Sequence, residues 1–240
     1  MSRRRTSERA ALFLAAALLA PASGGDERTF LEGEPRAEFL GKLRDRMGQV
    51  RSFVADFTQE KTLAVFKDKV KSSGFLLVER PDRLRWEIRE PFRSQLVVTG
   101  DRVGKFEFVG GSRRALKLGR GQDAILVVMD RLRGWFRGEF DEKGGAFAVS
   151  VSSAPSPLIV LKPRDEALRR NLDAVELVPT ADYASVTSVT ILERGGDRTV
   201  MIFSGYARDI AIPAGAFSVT DPQELDIAAL RATAERAGGG

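Results

Sequence analysis

The run Gly74-Phe75-Leu76-Leu77-Val78-Glu79-Arg80-Pro81-Asp82-Arg83-Leu84-Arg85-Trp86-Glu87-Ile88-Arg89-Glu90-Pro91 reads as two strands and a turn. Arg80-Pro81-Asp82-Arg83 is the turn: Pro81 fixes φ at its second position and Asp82 tolerates the next. Beyond it the side chains alternate. Leu84, Trp86 and Ile88 point one way, and Arg83, Arg85, Glu87 and Arg89 point the other. One face is apolar and one is charged, the pattern of an antiparallel sheet with one buried and one solvated face. Pro91 ends the second strand, since it brings no N–H to a ladder.

The flanking sequence extends this sheet. Upstream, residues 37–50 carry Phe39, Leu40, Leu43, Met47 and Val50 at helical spacing, which predicts an amphipathic helix. Residues 53–59 alternate as a first strand, and 61–71 read as a charged connection. Downstream, short strands are expected at 95–99, 103–109, 114–118, 146–151, 158–161, 175–178, 185–193 and 199–204. Three stretches change period. Ile125, Val128, Met129, Leu132 and Trp135 recur at helical spacing, residues 163–171 form a short helix, and 224–237 form a polar tail helix before three glycines. No repeat or linker divides the chain.

The N-terminus reads as an export signal. Arg3, Arg4 and Arg5 precede a short apolar run over residues 11–20, and Ala20-Pro21-Ala22 is a cleavage site. The expected division is a signal peptide at 1–22, a flexible leader at 23–36, one domain at 37–221, and a C-terminal helix with a frayed tail at 222–240. The signal carries three of the five net positive charges, leaving +2 on the exported part. That weakens any case for nucleic acid as a partner.

The chemical inventory is narrow. With His 0 and Cys 0, histidine bases, cysteine nucleophiles, Cys/His zinc sites and disulfides are excluded. A two-carboxylate hydrolase keeps two nearby pairs, Asp56 with Glu60 and Asp141 with Glu142; solvated surface charge accounts for both. The Gly-Gly pairs fit turns, not a phosphate loop. The basic run Arg113, Arg114, Lys117 and Arg120 has two readings, contact with anionic lipid headgroups or phosphate and, more commonly, a guarded and solvated strand edge. The expectation is therefore a non-enzymatic binding protein with no cofactor and no metal.

Three stretches in order resemble the LolA-like family of periplasmic outer-membrane lipoprotein carriers: Ser52–Gln59, the hairpin from Ser73, and Leu161-Lys162-Pro163 with the late strands. The resemblance spans roughly residues 39–220. It implies an α+β fold, a curved antiparallel sheet forming an incomplete barrel, with helices as a lid. It implies a monomeric periplasmic carrier that holds acyl chains of lipoproteins, or another lipid, between an inner-membrane donor and an outer-membrane acceptor. Its alternative is an envelope sensor of the same fold that binds a partner protein or lipid signal. The implied cavity residues are Phe57, Phe75, Leu77, Leu84, Trp86 and Ile88. Ile125, Val128, Met129, Leu132 and Trp135 would form the lid helix. Arg80 matches the family's arginine before the turn proline, whose guanidinium would bond lid backbone groups and latch the empty form. Lys105 and Glu107 stand where the family often has a Trp and a Tyr.

Overall fold

A computed structural model describes residues 28–65, 69–118, 134–136, 138–140, 145–153 and 156–237. The expected signal peptide and most of the expected lid lie outside these residues. Eleven strands form one antiparallel sheet: β1 (Ser52–Thr62), β2 (Lys69–Glu79), β3 (Arg83–Glu90), β4 (Ser94–Thr99), β5 (Arg102–Val109), β6 (Ser112–Leu116), β7 (Phe147–Ser152), β8 (Leu158–Pro163), β9 (Leu172–Pro179), β10 (Val186–Glu193) and β11 (Arg198–Arg208). Their order is β6-β5-β4-β3-β2-β1-β11-β10-β9-β8-β7. The two halves of the chain meet where β11 pairs with β1, and β6 and β7 remain as separate edges. The barrel is therefore incomplete, as the resemblance implied.

Bulges bend the central strands. β1 and β11 shift register between Val54 and Asp56, and β2 and β3 shift between Ser73 and Gly74. At the first bulge Gly205 takes φ +59, a left-handed value that suits glycine. An added Cβ there would also crowd the Asp56 carboxylate, 3.0 Å away.

Helix α1 (Gly33–Gln49) lies against one face and buries Phe39, Leu40, Leu43 and Met47. It starts four residues earlier than its apolar spacing predicts. The expected leader is also partly docked: Leu31 N–H donates to the Val151 carbonyl at 2.8 Å, and Arg36 Nη2 to that of Val149 at 2.7 Å. These bonds occupy carbonyls on edge strand β7, which limits pairing with another chain. The expected charged connection is likewise mostly strand, since β1 runs to Thr62 and β2 starts at Lys69.

The other face corrects the sequence reading. It is not solvated. Arg85 is 0 % exposed and Glu87 is 1 %. A 3₁₀ turn (Ala214–Phe217) and a C-terminal helix lie over them, burying Ile210, Ala216, Phe217, Ile227 and Leu230 against Val54, Phe75, Leu77, Val97 and Phe106. The helix expected to be a polar tail, α3 (Ile227–Ala237), thus belongs to the core; the short α2 (Glu166–Arg169) sits between β8 and β9. The approach is close enough that a Cβ on Gly104 would lie 2.2 Å from the Val219 carbonyl oxygen.

Candidate lipid-binding face and its latch

The face beneath α1 is aromatic. Phe57 lies 4.9 Å from Trp86 and 6.4 Å from Phe203, centroid to centroid. Phe53 meets Phe136 edge-on and leans on Tyr206, each at 5.6 Å. Leu84 is buried here, and Trp86 and Ile88 are half-buried. Four of the six expected cavity residues therefore share this face.

Phe75 and Leu77 do not. Register places Phe75 opposite Glu87 and Leu77 opposite Arg85, while Leu76 and Val78 oppose Trp86 and Leu84. Side-chain parity then sends Phe75 and Leu77 to the second face. There Phe75 lies under two guanidiniums, with Arg89 at 4.8 Å and Arg85 at 5.8 Å from its centroid.

Arg80 occupies the loop between β2 and β3. Its Nη1 donates to the Gly48 carbonyl at 2.9 Å; its Nη2 donates to the carbonyl of Met47 and, at 3.2 Å, to that of Phe136. The first two acceptors belong to the last turn of α1, where the Met47 carbonyl also accepts from the Val50 N–H at 3.2 Å. The third belongs to a helical turn at residues 134–136. One guanidinium thus bridges the end of α1 and the turn at 134–136, while Gly138 lies directly against Leu43 and Arg44 of α1. A cation at a helix C-terminus also suits the helix dipole.

Of the expected lid residues, Trp135 lies on that turn and packs edge-on against Phe147 at 5.8 Å. Ile125, Val128, Met129 and Leu132 lie outside the described residues.

Beside Arg80 is an apolar cavity of about 20 Å³, lined in part by Met47, Phe53, Leu84, Phe136 and Tyr206. It holds about one water and no acyl chain. Tyr206 donates its hydroxyl to the Val186 carbonyl at 2.6 Å, and burial raises its pKa. Nearby, Asp182 organises the β9–β10 loop. Burial pushes its carboxyl up, but Thr180, the Ala184 N–H and Arg208 donate to it and bring it down to about 2. In the same loop Tyr183, with φ 59, packs edge-on against Phe39 at 5.6 Å. Phe53 is the alternative to Phe57 on the expected concave face; Phe136, Tyr206 and Asp182 do not belong to the expected cavity set.

Lys105 sits on the α1 face, in the cross-strand row Leu76, Trp86, Leu96, Lys105. Glu107 continues the row from Ile88 through Ser94. Both follow apolar positions toward the β6 edge.

The carboxylates weighed for hydrolysis are held by cations. Asp56 accepts from Arg231 at 2.6 Å. Glu60 accepts from Lys69 at 2.6 Å, and this hydrogen bond lowers its pKa. Asp141 and Glu142 lie outside the described residues. Among the described residues no group of acidic side chains could hold a metal ion.

Comparison with known proteins agrees with the hairpin. The family model described as outer membrane lipoprotein carrier protein LolA matches residues 48–109. An outer-membrane lipoprotein carrier protein of Alkalilimnicola ehrlichii is 28% identical over 183 residues, covering 74% of this chain and 78% of its own. One from Yersinia enterocolitica is 25% identical over 194 residues, covering 80% and 88%. Among solved structures, a LolA superfamily protein of Nitrosomonas europaea aligns with 76% of this chain and 96% of its own, at 12% identity and a TM-score of 0.40. The hairpin, the unclosed sheet and these carrier relatives make the chain similar to the LolA-like family of outer-membrane lipoprotein carriers.

Proposed function

We propose that this protein is a non-enzymatic periplasmic carrier that takes acyl chains of lipoproteins, or of another lipid, between α1 and the sheet. The carrying observation is Arg80. It ties α1 to the turn at 134–136 beside a cavity that, among the described residues, measures only about 20 Å³. Admission of cargo therefore requires the two elements to part. The energetics allow it. Hydrogen bonds from a charged donor contribute about 1.5–3 kcal/mol each at most, and ten buried methylenes return about 8 kcal/mol. The closed and loaded forms can then lie close in free energy, as a carrier that must release its cargo needs.

The test is detergent-free purification followed by organic extraction and native mass spectrometry. A stoichiometric acylated species supports the proposal, and its mass separates lipoprotein from free lipid. Purification with a protein partner, and with no lipid even when acylated peptide is supplied, would replace the carrier with a sensor of the same fold.

A further inference from the structure

Five connections lie at the end of the sheet opposite Arg80: β1–β2, β3–β4, β5–β6, β8–β9 and β10–β11. They touch one another. Ala64 N–H donates to the Asp197 carboxylate at 2.8 Å, Arg194 N–H to the Asn171 carbonyl at 3.1 Å, and the Arg93 guanidinium stacks 4.0 Å from the Phe108 centroid. That end of the sheet is thus a rim in which β8–β9 bonds to β10–β11, β10–β11 bonds to β1–β2, and β3–β4 rests on β5.

The rim gathers exposed apolar side chains. Among the described residues, four of the six exposed large hydrophobics sit on it: Val65, Val70, Phe92 and Val109. Phe92 and Val65 are each 84% exposed at loop positions. At that exposure neither contributes to the core.

The rim is also basic. Over the described residues of 62–71, 90–93, 107–114, 164–173 and 193–198, exposed Lys and Arg outnumber exposed Asp and Glu eight to five. Two of those acids pair with two of the bases, which leaves the balance at three positive charges. Glu166 and Asp173 lie 3.8 and 4.0 Å from Arg170 and Arg194, and Asp165 caps its own helix. The field the rim presents is positive.

We propose that this rim docks on an anionic lipid bilayer, with Phe92, Val65 and Val109 entering the headgroup layer and Lys71, Arg114, Arg170, Arg194 and Arg198 facing lipid phosphates. A lipid surface fits better than a protein partner. The apolar side chains stand singly on tips about 10 Å apart, two strand spacings, with charge between them. A folded partner needs a contiguous packed core at its interface, whereas a fluid headgroup layer admits separate prongs. No described helix is long and apolar enough to cross a membrane, so the contact is peripheral. The inference goes beyond the carrier proposal and needs no cargo.

The experiment is flotation of the protein, purified without detergent, on phosphatidylcholine vesicles with and without phosphatidylglycerol. The expected result is binding to the anionic vesicles that weakens with salt. Phe92→Ser combined with Val65→Ser lowers the partition coefficient about tenfold. Arg170→Glu with Arg194→Glu lowers it by at least about fivefold per lost charge. Ile202→Ser, exposed but off the rim, leaves it unchanged, and all three variants keep the parent Tm. Absence of flotation on anionic vesicles, or equal binding by parent and rim variants, overturns the proposal. Binding to isolated envelope membranes but not to protein-free vesicles overturns it in favour of a protein receptor.

Discussion

The two faces of this sheet are closed by different means. Under α1 the side chains are apolar and aromatic, and the polar ties to the cover are a few hydrogen bonds near its ends, from the partly exposed Arg80 and from Arg36. On the second face the cover is held by a buried polar network. Glu87 Oε2 accepts from Arg85 at 2.7 Å and Gln95 at 2.9 Å, and its Oε1 accepts from Arg93 at 2.8 Å. Arg85 also donates to the Gln223 and Ala216 carbonyls at 2.6 and 3.2 Å, and Thr99 to that of Phe217 at 2.8 Å. Burial lowers the Arg85 pKa, and the Glu87 carboxylate opposes that. Parting this face would strand charge in the interior; parting the other exposes mainly hydrocarbon that a lipid can cover again. One face is built to stay shut; the other is the face that the carrier proposal opens.

The largest predicted effect attacks the permanent face. Glu87→Ala leaves Arg85 buried beside no carboxylate, and unfolding stability should fall by about 3–5 kcal/mol. A urea midpoint that barely moves would remove the network from the account. Next, Gly104→Ala drives a methyl group into the Val219 carbonyl. A loss of about 1–3 kcal/mol is expected, together with faster proteolysis near residues 218–222. Unchanged cleavage would mean that the sheet, not the C-terminal cover, yields.

Arg80→Leu probes the opening face. Stability should drop by only about 1–2 kcal/mol, because the guanidinium is partly solvated. Uptake of a fluorescent fatty acid should rise or become irreversible. Unchanged loading and release would show that Arg80 is a helix cap and not a latch. The smallest effect concerns Asp182. Its carboxyl titrates lower in the fold than in the unfolded chain, so its stabilisation is complete above about pH 4. It is lost as pH falls through about 2. Asp182 is largely exposed, so less than about 1 kcal/mol is at stake. Asp182→Asn should flatten acid unfolding over that interval and lower neutral-pH stability by less than about 1 kcal/mol.

Much of this architecture could be read before the structure. The Pro-punctuated hairpin, the apolar stripe of α1 and the alternation in β1 each report a local period, and local periods survive into the fold. Parity between strands did not. Phe75, Leu76, Leu77 and Val78 are all apolar, so alternation alone assigns none of them a face; only pairing with β3 does. That same run held an unused signal. Four consecutive buried residues mark a strand covered on both sides, and so predict a second layer over Arg85 and Glu87. Charge misled at those two positions because ion pairing lets them be buried. Arg80 was legible through family likeness, but its acceptors are backbone carbonyls, which leave no trace in side-chain identity.

The pairing of β1 with β11 has a consequence in time. Phe53 meets Arg208 and Thr62 meets Arg198, partners well over 100 positions apart. Contacts of such separation form slowly, because a long loop must close before they contribute. A chain emerging N-terminus first exposes β1 and its aromatic row until the final strand and the C-terminal cover arrive. Assembly thus ends at its longest-range seam, and a chain truncated before β11 would leave β1 as an unprotected edge open to aggregation.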